Sequence, residues 1–470
     1  MLLRYVYNDK LAHASYLVGC QATGEAIVVD PGQNIEPYLK LAKEQGVRIV
    51  AATETHIHAD FVSGARELAK REGAKLYLSD EGDENWKYQY LNDVPHQLVK
   101  DGDTFKIGNL IFQVMHTPGH TPESISFLLT DTGGGADKPM GIFSGDFVFV
   151  GDVGRPDLLE KAAGVQGSSD IGARQMFNSL KRFKELPDYL QLWPAHGAGS
   201  ACGKALGAVP SSTVGYEKMF NWALSYEDEN EFVKALLDGQ PAPPKYFAMM
   251  KKVNKEGPMV TGEMNEPQMF EASKEKIEQL LDEQAVILDI RSNAAFADGH
   301  IPGTLNIPLN KSFTTWAGWL LSYTRPLYVL ADPNKTEEIK RDLYSIGFFN
   351  INGFIDSSVL KQYQNLQTYE NKKPAELAEA ILNNEVHVID VRNDSEWNEG
   401  HLPNAQHIML GYLEDRLETV PKDKTIVMQC KGGGRSAIAS SVMQAHGITS
   451  IINLEGGYDA WVQQGYRVEN

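Results

Sequence analysis

Cysteine is scarce in this chain: Cys20, Cys202 and Cys430 are the only three in 470 residues. An odd, sparse set makes a poor disulfide framework, so each reads as a free thiol in a reducing compartment. Net positive charge is also missing, because 44 Lys and Arg stand against 62 Asp and Glu, for a balance of −18. That balance argues against a nucleic-acid partner and against an anionic membrane surface. No apolar run approaches the roughly 20 residues that a spanning helix needs. The start, MLLRYVYNDKLAHASY, lacks a secretory pattern, and the cytoplasm is the expected location. Histidine is absent between Gly197 and Gly299, whereas seven of the twelve lie before residue 200, at 13, 56, 58, 96, 116, 120 and 196. This imbalance separates a metal-like first half from a chemically different second half.

With 42% hydrophobic and 23% charged residues, the composition is that of a globular protein. The length is too great for one core, so two to four domains are expected. The first half alternates β-type runs (EAIVVDPG, VRIVAATETHIHAD, LIFQVMHTPGH, MGIFSGDFVF, YLQLWPAHG) with helical stretches, which implies a layered α/β domain. The segment QPAPPKYF begins its exit. The second half repeats itself: AVILDIRSNAAFADGHIPGTLNIP from Ala285 matches VHVIDVRNDSEWNEGHLPNAQHI from Val386. Asp289 and Asp390 are 101 residues apart, as are His300 and His401. A period this long means tandem α/β domains rather than a solenoid. The expected boundaries are 1–250, 262–366 and 372–470.

Within THIHADF, residues His56, His58 and Asp60 alternate where a strand gives way to a loop, followed by Phe61. One isolated histidine there would be no more than a polar loop residue. Further ligand types arrive from other strand ends, however: His116 and His120 in HTPGHTPES, Asp146 in FSGDF and His196 in WPAHG. Pro118 and Gly119 rule out a helical pair, so one of His116 and His120 is expected to face the site. His and carboxylate groups converging from separate loops are what a metal ion needs.

These motifs, in this order, resemble the metallo-β-lactamase fold, which implies an αββα domain. The usual motif of that superfamily is HxHxDH, whose last histidine serves a second metal. Phe61 stands there in this chain and cannot ligate, so the resemblance implies a crippled second position and disfavours a two-zinc thioesterase. Two histidines and one carboxylate with open positions suit non-haem Fe(II). Within the superfamily the pattern resembles the persulfide dioxygenases. Carried over residue by residue, that resemblance implies His56, His120 and Asp146 as the iron ligands. His58, Asp60 and His196 then orient ligands from the surroundings or act as additional ligands. Arg155, in GDVGRPDL, is a candidate for holding the anionic part of a thiol substrate, with a plain salt bridge as the alternative.

The stretch KTIVMQCKGGGRSAIASSVMQAHG reads as strand, loop and helix. Cys430 opens the loop, Lys431, Gly432, Gly433 and Gly434 follow, and Arg435 and Ser436 lead into the helix. Glycine amides, a helix N-terminus and the basic side chains favour thiolate over thiol and would cradle an anion. The loop, with DVR and EGHLP upstream, resembles the rhodanese sulfurtransferases. Its twin reads PLYVLADPNKTEEI, with Ala331 or Asp332 in place of the cysteine, so it is expected to be a structural copy without catalysis. Cys20 reads as strand packing. Cys202 follows His196 closely and is open to either a packing or a site role.

Together the resemblances imply an α/β chain: an αββα metallo-β-lactamase domain followed by two rhodanese-like domains. The function they imply is oxidation of a thiol persulfide by O₂ to sulfite at one Fe(II) per chain, zinc being the alternative metal. Sulfur transfer at Cys430 would make or use thiosulfate, and a homo-oligomer is expected. Two alternatives stay open: a two-zinc thioester hydrolase with an appended sulfurtransferase, and a non-enzymatic sulfur carrier.

Overall fold

The structure, a computed structural model, describes residues 1–163, 167–204 and 206–470. The chain divides into two units, one comprising Met1–Met264 with Leu343–Gly347 and the other Asn265–Asp342 with Phe348–Asn470.

In the first unit, β1 (Leu2–Asn8), β2 (His13–Cys20), β3 (Glu25–Val29), β4 (Arg48–Thr53), β5 (Lys75–Ser79) and β6 (His96–Val99) form one six-stranded sheet in sequence order. The second sheet runs β12 (Ser212–Thr213), β11 (Gln191–Pro194), β10 (Gly141–Gly145), β9 (Ile125–Asp131), β8 (Leu110–His116) and β7 (Thr104–Ile107). Side chains alternate between the faces of a strand, and each sheet uses both faces for burial. In β3, Ile27 and Val29 enter the layer between the sheets, while Ala26 and Val28 meet the helices outside. In β9, Phe127 and Leu129 point inward, and Leu128 joins Met176, Phe177 and Leu180 of the helix Ser168–Lys184. The middle layer holds Phe105, Phe112, Phe127, Phe143 and Trp193, each worth about 1.5–3 kcal/mol when fully buried. Helix, sheet, sheet, helix is the resulting order. This domain closes with helices at Val214–Phe220 and Glu229–Leu237 and a single tighter turn at Trp222–Ser225 between them.

In the second unit the repeat folds twice into the same five-stranded parallel sheet. Strands β13 (Met269–Phe270), β14 (Val286–Asp289), β15 (Leu305–Asn306), β16 (Leu327–Ala331) and β17 (Ile351–Asp356) are ordered β13-β17-β16-β14-β15. Strands β18 (Glu370–Lys372), β19 (His387–Asp390), β20 (Gln406–His407), β21 (Ile426–Gln429) and β22 (Ile451–Leu454) follow the identical order, β18-β22-β21-β19-β20. Among the described residues no helix is long and apolar enough to cross a membrane.

Candidate metal centre and nucleophile loop

The strand ends of the first unit carry its chemistry. His56 follows β4, His120 follows β8, Asp146 follows β10 and His196 follows β11. The turn out of β10 depends on two glycines. Gly145 has φ +56, where a side chain would meet Thr55, and a Cβ on Gly154 would lie 1.8 Å from the Asp146 carbonyl oxygen. All four site residues are buried, which is costly for His and Asp unless a partner or an ion satisfies them.

His56, His120 and Asp146 bring one ligand atom each to within 4.8 Å of one another. Asp146 Oδ2 lies 3.4 Å from His120 Nε2 and 4.0 Å from His56 Nε2. The outer nitrogens are spoken for. His120 Nδ1 donates to the Arg155 carbonyl at 3.0 Å. Thr55 Oγ1 gives its proton to Asp30 at 3.0 Å, so His56 Nδ1 donates to that hydroxyl at 3.1 Å. Both tautomers therefore leave Nε2 as a free acceptor facing Asp146. Burial, and then the neighbouring imidazoles of His58, His120, His196 and His13, hold His56 well below the usual histidine range, and burial lowers His120 too. Neutral imidazole is the ligating form. His56 Nε2 and both Asp146 oxygens are buried without a hydrogen-bond partner among the described residues, so the donor set fits a metal cation.

Asp60, His196 and Cys202 form a second group of three, also within 4.8 Å of one another. His196 Nε2 is 3.2 Å from Asp60 and 3.4 Å from Asp146, and its Nδ1 donates to the Ala12 carbonyl at 3.0 Å. Burial, followed by Asp146 and Asp60, pushes the Cys202 thiol well above its usual range. The structure thus brings Cys202 to the site that the sequence left open to it.

His58 belongs to neither group. Its Nε2 meets Asp30 Oδ1 at 3.1 Å; burial alone would lower its pKa, but Asp30 and then Glu54 and Asp60 hold it at about 9. Phe61 is fully buried, with its ring 3.8 Å from that of His13 and 4.4 Å from that of His58. It fills the place with carbon rather than a donor. His116 turns away and bonds the Pro122 carbonyl at 2.8 Å, so His120 is the member of the TPGHT pair that joins the site.

Arg155 requires a correction. Its guanidinium is fully buried, pairs with Asp157 through two bonds, the shorter at 2.7 Å, and gives two more N–H groups to the carbonyls of Ala201 and Pro241. No face is left for a substrate anion, and the residue serves the site through its main-chain carbonyl on His120 instead. Two further residues escaped the sequence reading. Asp30, in VVDPG, accepts from Thr55 N at 2.7 Å as well as from the hydroxyl and His58. Asn254 donates to the carbonyls of His58 and Phe61 and accepts from Ser63 N, clamping the histidine loop from a helix nearly 200 residues later. The strand-end DPG was a readable signal for Asp30; nothing local marked Asn254. His120 also lines a cavity of ≈ 770 Å³ walled by Trp86, Gln175, Lys251, Lys252 and Lys255.

In the second unit Cys430 follows β21, and its Sγ accepts from Gly433 N at 3.2 Å and Ser436 Oγ at 3.4 Å. Gly433 has φ +93, and a Cβ on Gly432 or Gly434 would meet nothing within 4 Å, so the loop curls with open space before it. Gly457 makes this curl stable: a Cβ there would lie 2.0 Å from the Cys430 carbonyl, which instead accepts from Tyr458 N at 2.8 Å. Lys431 is exposed, and Arg435 forms a two-bond pair with Glu396. In the twin, sheet register resolves the correspondence. Asp390 pairs with Gln429 and Asp289 with Leu330, so Ala331 stands opposite Cys430 and Asp332 opposite Lys431.

The two sheets flanked by helices, with ligand-type residues at their strand ends, are matched by the metallo-beta-lactamase superfamily profile over residues 8–196. The rhodanese-like domain profile matches residues 273–350 and 373–464. The chain belongs to the metallo-β-lactamase superfamily and carries two rhodanese-like domains. A solved metallo-beta-lactamase from Staphylococcus aureus subsp. aureus COL is 44% identical, covering 76% of this chain and 98% of that one, with a TM-score of 0.67. The mitochondrial persulfide dioxygenase ETHE1 of Bos taurus is 27% identical over 241 residues, 50% of this chain and 80% of that protein. The probable polyketide biosynthesis zinc-dependent hydrolase BaeB of Bacillus velezensis is 25% identical over 212 residues, 45% of this chain and 84% of that one.

Proposed function

We propose that residues 1–250 form a persulfide dioxygenase using one Fe(II), that 262–366 is a rhodanese-like domain without catalysis, and that 372–470 is a sulfurtransferase acting through Cys430. The observation that supports this reading best is the convergence of His56 Nε2, His120 Nε2 and Asp146, with the outer nitrogens of both histidines already satisfied and the Asp146 oxygens left unpartnered. His56, His120 and Asp146 would hold the iron, which would supply the redox chemistry for oxidising a persulfide sulfur with O₂. The balanced conversion is R–S–S⁻ + O₂ + H₂O → R–SH + SO₃²⁻ + H⁺. The chain's own part is to keep two imidazoles neutral and oriented and to admit the substrate by the cavity that His120 lines. At the other centre the Cys430 thiolate attacks the outer sulfur of thiosulfate. The S–S bond breaks, sulfite leaves with the electron pair, and Cys430 keeps the sulfur as a persulfide; the reverse makes thiosulfate. Having both centres in one chain raises the effective concentration of the shared sulfur species. Small sulfur compounds are the partners in this reading, and a cytoplasmic homo-oligomer is its setting.

A second reading is favoured by one observation. Asp60, His196 and Cys202 offer a second set of metal donors, as a two-zinc hydrolase would need. Anaerobic purification of the full chain, with iron and zinc assays, O₂ uptake on glutathione persulfide and sulfite detection, decides between them. About one iron, with sulfite formed and both lost in His120→Ala, is expected. Two tightly held zincs with no O₂ uptake would hand the function to the hydrolase reading.

A further inference from the structure

The sulfur-transfer loop carries a built-in carboxylate that its proposed chemistry does not use. Glu396 sits on the short helix Asp394–Asn398, and its two oxygens accept from Nη1 and Nη2 of Arg435, both at 2.6 Å. Both partners are about four-fifths buried, so the pair is only partly screened by water. An end-on fork of this kind is the geometry by which arginine grips an oxyanion. While Glu396 holds both terminal nitrogens, Arg435 cannot offer that fork to a substrate. Asn393 N also donates to Glu396, which fixes the carboxylate from its own helix.

The twin domain serves as an internal control. It keeps the frame: Arg291 pairs with Asp289 at 2.7 Å and bonds the Gly299 carbonyl, just as Arg392 pairs with Asp390 at 2.7 Å and bonds that of Gly400. It also keeps the ring stack, with Phe296 on His300 at 3.7 Å and Trp397 on His401 at 3.6 Å. What it lacks, together with the cysteine, is both members of the other pair. At the repeat spacing of 101, Ala295 replaces Glu396, and by sheet register Thr336 stands where Arg435 would. The pair is present where the nucleophile is and absent where it is not, while the frame is common to both, which ties its role to the chemistry of the loop rather than to the fold.

We propose that Glu396 sets the charge selectivity of the Cys430 loop: it occupies Arg435, weakening the loop for an anionic reagent or sulfur donor, which must displace it, relative to a neutral one. This rests on the sulfurtransferase reading for its biological meaning, but not for its test. Glu396→Gln keeps the size and loses the charge. Read on the full chain by mass analysis of the Cys430 peptide, the rate ratio of alkylation by anionic iodoacetate over neutral iodoacetamide should rise roughly threefold to tenfold, a partly screened single-charge effect. KM for thiosulfate should fall by a similar factor without a rise in kcat, and Glu396→Asp should restore much of the wild-type behaviour. In an Arg435→Gln background the Glu396→Gln change should move neither quantity, because the route runs through the guanidinium. An unchanged alkylation ratio, or an effect that persists without Arg435, overturns the proposal. A raised ratio in a chain with no thiosulfate activity would instead refute the thiosulfate reading and leave the role of Glu396 standing.

Discussion

Asp30→Asn isolates one charge behind the metal loop. Asp30 has φ +50, a conformation that asparagine also tolerates, so the substitution leaves the backbone alone. It preserves an acceptor for Thr55 and removes the counter-charge of His58, which is buried and held at about 9 instead of the ordinary 6.5. At 1.36 kcal/mol per pKa unit, that difference is a linkage of about 3 kcal/mol. Breaking a buried pair by removing one partner costs a comparable ~3–5 kcal/mol. The sign follows from the raised value. The stabilisation is fully present below pH 6.5, where His58 is charged in both states, and it is lost as pH rises through 9. The penalty of Asp30→Asn should therefore be larger at pH 6 than at pH 10, by up to about 3 kcal/mol, with Glu54 and Asp60 sharing in the effect and the lost Thr55 bond adding a part that does not change with pH. Urea denaturation of wild type and variant at several pH values measures it. Metal affinity should fall about 10–100-fold, because the Thr55 hydroxyl that orients His56 loses a charged acceptor. A penalty that is flat with pH would show that His58 is not a cation paired with Asp30, and the reasoning would fail.

Cys430→Ser should abolish sulfur transfer from thiosulfate to cyanide, since a serine hydroxyl is barely ionised near neutral pH and forms no persulfide. The same variant should keep O₂ uptake on a preformed persulfide, with its product shifted toward sulfite; parallel O₂ and sulfur-anion assays check this, and joint loss would refute separable centres. Phe61→His should add zinc uptake, measured by metal analysis under zinc excess, by placing an imidazole beside the Asp60 and His196 donors. No added metal would mean that Phe61 is not what limits that position.

The layered first domain and the doubled second half were legible because strand alternation and a 101-residue repeat are written locally. His56, His120 and Asp146 were legible as ligand candidates for the same reason, each lying in a short motif at a strand end, while their selection from the other histidines and Asp60 came from the resemblance. Arg155 stayed open between a substrate contact and a salt bridge because an arginine's partner is invisible in sequence; Asp157, two residues on, is the partner the structure shows. The anchoring of His58 by Asp30 crosses between two strand ends, and that of the whole loop by Asn254 spans most of the first unit. Neither leaves a periodic trace. Gly457 was readable only as half of a Gly-Gly turn, and its contact with the Cys430 carbonyl required the register of β21 against β22.

The histidines of the metal site differ in what fixes their protons. His120 and His196 give theirs to main-chain carbonyls, those of Arg155 and Ala12, whereas His56 gives its own to the hydroxyl of Thr55. A carbonyl is supplied by every residue type, so substitutions at 155 or 12 that spare the backbone leave those two tautomers intact. Thr55 alone holds a tautomer through a side chain. Sequence drift can thus reach the orientation of this site through the Thr55 hydroxyl and the Asp30 carboxylate behind it, and selection or design that seeks to retune the metal without touching a ligand has positions 55 and 30 as its places to act.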